Sequence, residues 1–335
     1  MKNRIRLPGM LLVLALIMLA CNVAQPSSTP DTGLLQTQTS MAMTLTAMNN
    51  VQPTVVVQPT VHVLPTARTQ PTLHVQPPAN IQPTDTLQPA ANSALSPEQV
   101  KAKIDSSNIL IYEDMAAYPD YLPVVSRAIS HVGGTHVYVA DAMGTLMDKL
   151  DSATKWDLII IAAEAKSSIS GDYWTAIKDH VDNDHSALIA EVWNLDKIGG
   201  GKVSPLLQEC GIEVQKNWTR SDAFNSIDFP VFWVESTSPV FNTPNVVDSF
   251  KASDQSDVWT GDIGDLMQLT GDGDAKILGS KLKGDQSDNG LLTSCIKGTF
   301  LLQTFSTHDY PSDKMIALWQ NYINFTLTNH FTNKP

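Results

Sequence analysis

Seven side chains carry most of the chemistry this sequence offers, and each stands just beyond a short apolar run. Glu113 and Asp114 follow Asn108-Ile-Leu-Ile-Tyr112, and Glu164 follows Trp156-Asp-Leu-Ile-Ile-Ile-Ala162. Glu191 and Trp193 close the run that begins Ala187-Leu-Ile-Ala, and His308 and Asp309 come after Thr299 to Phe305. If the runs are neighbouring parallel strands, their carboxyl ends border one crevice, which is where such sheets bind ligands. A Trp and several carboxylates in one crevice suit a sugar, the indole stacking on the ring and the carboxylates accepting hydroxyl protons. Carboxylate oxygens also suit a divalent cation, and an acid beside His308 suits acid–base hydrolysis. The plain alternative is that all seven are solvated loop ends of an acidic protein.

The elements that must position them read as alternating strands and helices. Ser96-Pro97-Glu98 is a helix start, with a capping Ser and Pro at the first helical position. The run 108–112 is a buried strand, and 121–131 is an amphipathic helix stopped by Gly133-Gly134. His136 to Ala140 is a second strand and 142–150 a short helix. The run 156–162 is the strongest strand, 170–181 a helix, 187–192 a fourth strand, and 203–209 a helix before Ile212-Glu-Val214. Phe229 to Val234 is strand-like. The Gly/Asp-rich stretch 254–290 reads as hairpins and loops. Leu291 to Ile296 and Thr299 to Phe305 form a hairpin about Lys297-Gly298, and Ser312 to Phe331 is a helix with Met315, Trp319, Tyr322 and Ile323 on its core face. The expectation is an α/β fold: a doubly wound, mostly parallel flavodoxin-like sheet with a C-terminal β-hairpin region and a terminal helix.

This order of elements, with the phrases WDLIIIAAE, SALIAEVW, SPVFNTP, DAKILGS, GTFLLQTFSTHDYP and LWQNYINF, resembles the class I glutamine-amidotransferase-like superfamily over about 105–330. The likeness is greatest to its trehalose-utilisation-like and other non-catalytic branches. Catalytic members place a Cys on a sharp, glycine-flanked turn after a strand. The matching place here, Glu191-Val-Trp-Asn-Leu195, has no Cys and no Gly-x-Cys-x-Gly; a Gly-x-Ser-x-Gly is absent too. Thr307-His308-Asp309 is a partial echo of the family's late His-Pro-Glu. A base without a nucleophile makes no acyl-transfer site, so the resemblance implies a domain without glutaminase activity.

The N-terminus reads as a targeting segment. Lys2, Arg4 and Arg6 precede an apolar run from Met10 to Leu19, shorter than the roughly 20 residues that span a bilayer. Met18-Leu19-Ala20-Cys21 then resembles the lipobox of bacterial lipoproteins, which implies cleavage after Ala20 and a lipid on Cys21. Several acyl chains at ~0.8 kcal/mol per buried CH₂ give stable anchoring. From Asn22 to Ser96 there is no aromatic residue, and prolines recur every six residues at Pro53, Pro59, Pro65, Pro71, Pro77, Pro83 and Pro89, mostly after Gln. Such a segment cannot bury enough surface to fold and reads as a spacer. The organisation expected is a signal peptide over 1–20, a disordered Pro/Thr/Gln-rich stalk over 21–96, and the α/β domain over 97–335.

The domain holds 18 basic and 32 acidic residues, a net of −14. Such charge repels nucleic acid, so no nucleic-acid partner is expected. The expected partners are the membrane, through the Cys21 lipid, and a carbohydrate or protein ligand. Outside the cytoplasm Cys210 and Cys295 can form a disulfide; two buried free thiols are the equal alternative. Asp272-Gly-Asp274 and Asp285 to Gly290 hint at calcium loops but lack the alternating-ligand pattern, and so read as turns. Gly199-Gly-Gly201 has no Lys-Ser/Thr after it and reads as a flexible loop. His180 and His185 flank a helix end and are expected to be exposed. No cofactor or metal signature is present. The sequence thus describes a lipid-anchored, extracytoplasmic lipoprotein presenting a non-catalytic domain, with a carbohydrate hydrolase working through the acidic crevice and His308 as the alternative.

Overall fold

The computed structural model describes residues 95–117, 121–164, 169–219, 230–251 and 262–333, all within the compact unit Thr86–Pro335. The signal segment, Cys21 and the proline repeat lie outside the described residues. Among those described, no helix is long and apolar enough to cross a membrane.

The chain begins with α1 (Pro97–Ile104), whose Ser96 accepts from the Gln99 amide while the Gln99 side chain accepts from the Ser96 amide. This reciprocal cap satisfies two otherwise orphaned donors. Then come β1 (Asn108–Glu113), α2 (Val124–Ile129), β2 (Thr135–Tyr138), α3 (Met143–Leu150), β3 (Leu158–Ala163), α4 (Asp172–Asp179) and β4 (Ala187–Val192). After β4 the chain makes α5 (Leu195–Ile198), α6 (Ser204–Cys210), β5 (Ile212–Thr219), β6 (Phe232–Trp233), α7 (Pro239–Asn242), β7 (Asp262–Leu269) and β8 (Lys276–Ser280). It returns through β9 (Gly290–Cys295), β10 (Phe300–Gln303) and α8 (Ser312–Thr332).

The strands join in one sheet, with main path β2-β1-β3-β4-β10-β9-β7-β5. The first five are mutually parallel. Their order is the 2-1-3-4-5 of flavodoxin-like folds, with the late β10 in fifth place. β9 turns this block into an antiparallel extension, pairing β10, β8 and β7. Because β3 and β4 are covered on both faces, all six residues of each are buried, which is why β3, and β4 as far as Ala190, read as apolar runs rather than alternating ones. Ile109, Ile111, Leu158 and Ile160 face α1, α2 and α8 in one core, where Met315, Trp319, Tyr322 and Ile323 sit. Leu110, Tyr112, Ile159 and Ile161 face α3, α4 and α6 in the other.

The described part of the stretch 254–290, expected to be hairpins and loops, holds the β8–β9 hairpin and also the eight-residue β7, which pairs mainly with the distant β5. Pairing with β5 and β9 overrides the low strand propensity of its Asp and Gly residues. Conversely, the described part of the strand expected at 229–234 holds only Phe232–Trp233 and a bridge from Val231 to Phe250; residue 229 lies outside the described residues. The expected helix 121–131 begins only at Val124, since Pro123 sits in extended backbone just before it. His180, expected to be exposed, is buried in a π-helical turn (His180–Asp184), bridging Asp184 and the Leu150 carbonyl at 3.0 and 2.8 Å. His185 is exposed.

Candidate functional site

The carboxyl ends of β1, β3, β4 and β10 bring Glu113, Asp114, Glu164, Glu191 and His308 together. They are not solvated loop ends. Glu113, Asp114, Glu164, Glu191 and Asp309 are each 2% exposed or less, a degree of burial that carboxylates tolerate only when paired or hydrogen-bonded.

Each acid is engaged by the protein itself. Glu113 accepts the Val125 and Ser126 amides at the start of α2, at 2.8 and 3.0 Å, and the Tyr138 hydroxyl at 3.0 Å. Asp114 accepts the Glu164 amide at 3.0 Å, tying the end of β1 to the end of β3. Glu191 accepts both the amide and the hydroxyl of Thr307, at 2.7 and 2.8 Å. Glu164 accepts the Ser306 hydroxyl, the His308 amide at 3.1 Å and the His308 Nδ1. The turn after β10, Ser306-Thr307-His308, is therefore gripped by two glutamates from two neighbouring strands.

His308 Nε2 lies 2.9 Å from the Leu122 carbonyl. A carbonyl and a carboxylate both accept, so each ring nitrogen carries a proton and the ring is an imidazolium. Burial alone would lower its pKa, but the Glu164 carboxylate and the Leu122 carbonyl outweigh it and raise the pKa to about 9. Burial pushes the Glu113 carboxyl up against the opposing pull of its amide donors. It holds Glu191 well above the usual carboxylate range, with Glu164 beside it adding repulsion. The edge of the Tyr121 ring meets His308 at 5.6 Å between centroids.

A second tier, silent in the sequence, locks the first. Thr307 Oγ1 accepts from Trp319 Nε1 at 3.0 Å and from Gln303 Nε2 at 3.1 Å, while Gln303 Oε1 accepts the Tyr322 hydroxyl at 2.9 Å. Ser306, Thr307, Gln303 and Tyr138 belong to the cluster as fully as the acids do. The only sequence signal for them was that Ser306 and Thr307 sit beside His308.

The described residues leave no water-sized space among these groups, so the expected crevice is a closed polar core at this place. Trp193 is half-buried and does not line it, and the buried Asp309 donates its amide to Ser306 Oγ at 3.1 Å. Cys210 and Cys295 form a disulfide. Cys295 pairs with Phe300, which pairs with Leu188 near the start of β4. The disulfide therefore sits at the amino ends of the parallel strands, far from the acids. Asp285 spends its carboxylate on its own turn, accepting the Ser287 and Asp288 amides at 3.2 and 3.0 Å. Among the described residues, no three His, Cys, Asp or Glu are arranged to hold a metal.

No protein-family model matches the chain, and no curated protein is similar to it. Among solved structures, it is similar to a protein from Thermoplasma acidophilum described as part of a GMP synthase. The TM-score is 0.34 and the identity 10%, over 65% of this chain and 94% of that one. At that score the likeness carries no argument, and the fold assignment rests on the strand order.

Proposed function

We propose that this chain is a membrane-anchored, extracytoplasmic lipoprotein that presents a non-catalytic amidotransferase-like domain for ligand or partner binding. The observation that carries the reading is the chemistry at the end of β4. Where an amidotransferase needs its nucleophile stands Glu191, with both carboxylate oxygens engaged by Thr307. Both domain cysteines are consumed in a disulfide elsewhere. A disulfide also suits an oxidising compartment, which agrees with the signal segment and Cys21. The stalk then serves as a spacer between lipid and domain.

The competing reading, a carbohydrate hydrolase using His308, needs an acid and a base facing substrate. Here His308 faces Glu164 and Leu122 instead, which weighs against it. Carbohydrate as a bound ligand is tested by a glycan array on the purified protein, with Trp193→Ala as the discriminating variant. The anchor is tested by palmitate labelling and detergent-phase partition of wild type and Cys21→Ser. Label and partition should both disappear in the variant; a variant that still partitions with detergent would sink the lipoprotein assignment.

A further inference from the structure

At the amino ends of β4 and β10, by the disulfide, lies a cavity of about 630 Å³, a size typical of small-molecule sites. Its walls come from the turn before β4, the end of α6, the β7–β8 and β9–β10 turns and the end of α8. His330, 2% exposed, lines it. The ring Nε2 donates to Asp157 Oδ1 at 3.2 Å, and the other Asp157 oxygen accepts the Asn108 amide at 2.9 Å. A carboxylate fixed in this way sets both the tautomer and the direction of a histidine ring. The ring so held lines the cavity, with Nδ1 as its second polar atom.

The backbone around the cavity is held in an unusual state. His185, Ile296 and Lys297 all line it and all have φ between 51° and 57°; they are three of the five left-handed non-glycine residues among those described. His185 ends the π-helical turn and Ile296-Lys297 turn the β9–β10 hairpin, two places where left-handed backbone is the usual way to reverse the chain. Here the Asp274 carboxylate holds two of the three residues, accepting the Ile296 and Lys297 amides at 2.7 and 2.6 Å. The walls carry both signs of charge: Lys297 on one hand, and Asp272, Asp274 and Glu209 on the other, with the His185 ring beside them. Glu209 also pairs with Lys178 through one oxygen, at 2.8 Å.

We propose that this cavity binds a small zwitterion of the α-amino-acid class. The ligand carboxylate faces the Lys297 ammonium, and its own ammonium faces the Asp272 and Glu209 carboxylates, with the His185 and His330 rings as polar walls. A simple anion would meet the three acids, a simple cation would meet Lys297, and a neutral sugar would desolvate all of these charges without pairing them. The inference is independent of the function proposed above, because it uses none of the residues at the carboxyl ends of the strands.

The test is saturation-transfer NMR on the full-length protein with the twenty α-amino acids, followed by titration. Matching α-hydroxy acids and alkylamines serve as controls. At least one amino acid should bind with a Kd below about 1 mM, and its hydroxy-acid and amine analogues should bind about tenfold or more weaker. Lys297→Ala, an exposed change that leaves the fold intact, should weaken binding about tenfold, and His330→Gln should do the same. The proposal is overturned if no amino acid binds at about 10 mM, if an α-hydroxy acid binds as well as its amino acid, or if Lys297→Ala leaves the affinity unchanged.

Discussion

Replacing Glu164 by Gln keeps the side-chain volume and removes one charge from the closed cluster. Glu164 is 1% exposed and faces the imidazolium of His308 as well as the Ser306 hydroxyl. The variant leaves a buried imidazolium opposite a neutral amide, and breaking a buried pair in this way costs about 3–5 kcal/mol. That is a large part of the roughly 5–15 kcal/mol that typically holds a domain together. With a urea m-value of about 3 kcal/mol/M, the midpoint should fall by roughly 1–1.7 M. The double variant Glu164→Gln/His308→Gln removes both charges and should recover part of the loss, so the two changes are not additive. The same pair fixes a pH dependence. The folded pKa of His308 is about 9, against 6.5 for the free side chain. Between those values the folded state holds the extra proton, so stability is full below pH 6.5 and declines as the pH rises towards 9, by about 3 kcal/mol in all. The raised carboxyls of Glu113 and Glu191 act in the same direction from lower pH. Urea titrations at about pH 6.5, 7.5 and 9 should show the decline in wild type and a shallower one in the double variant. A Glu164→Gln protein as stable as wild type, or more stable, would refute the argument. It would mark the cluster as a strained functional centre, since groups poised for catalysis commonly cost stability.

The Cys210–Cys295 disulfide spans 85 residues, which corresponds to about 4–5 kcal/mol in the chain-entropy picture. Cys210→Ala/Cys295→Ala should therefore lower the thermal midpoint by roughly 10–15 °C in calorimetry, and the native protein should show no titratable thiol from these two residues. Gly264 has φ +133°, and a Cβ there would lie 1.8 Å from the Thr304 carbonyl oxygen, so Gly264→Ala should cost more than about 3 kcal/mol by urea denaturation. The Tyr112 hydroxyl is buried and has no hydrogen-bond partner among the described residues. Tyr112→Phe should accordingly be neutral or stabilise by about 1 kcal/mol in the same assay.

Periodicity alone determined the parallel block. The runs at 109–112, 158–163 and 187–192 are apolar because both faces of those strands are covered, and a strand covered on both faces has no other way to read. The placing of Glu113, Asp114, Glu164, Glu191 and His308 at one end of that block followed from the same logic. The apolar N-terminal run, Cys21 and the six-residue proline repeat are features of sequence from the outset. What only the tertiary structure decided is what the gathered acids do. A carboxylate at a strand end looks the same in sequence whether it faces solvent, ligand or another part of the chain. Its partners here are the Val125 and Ser126 amides, Thr307 and His308, 12 to 144 residues away, and no local pattern encodes such distances. The partner of β7 was hidden for the same reason, because pairing with the distant β5 made a strand of an Asp- and Gly-bearing segment. The disulfide, too, could be settled only by the fold that brings the end of α6 to the end of β9.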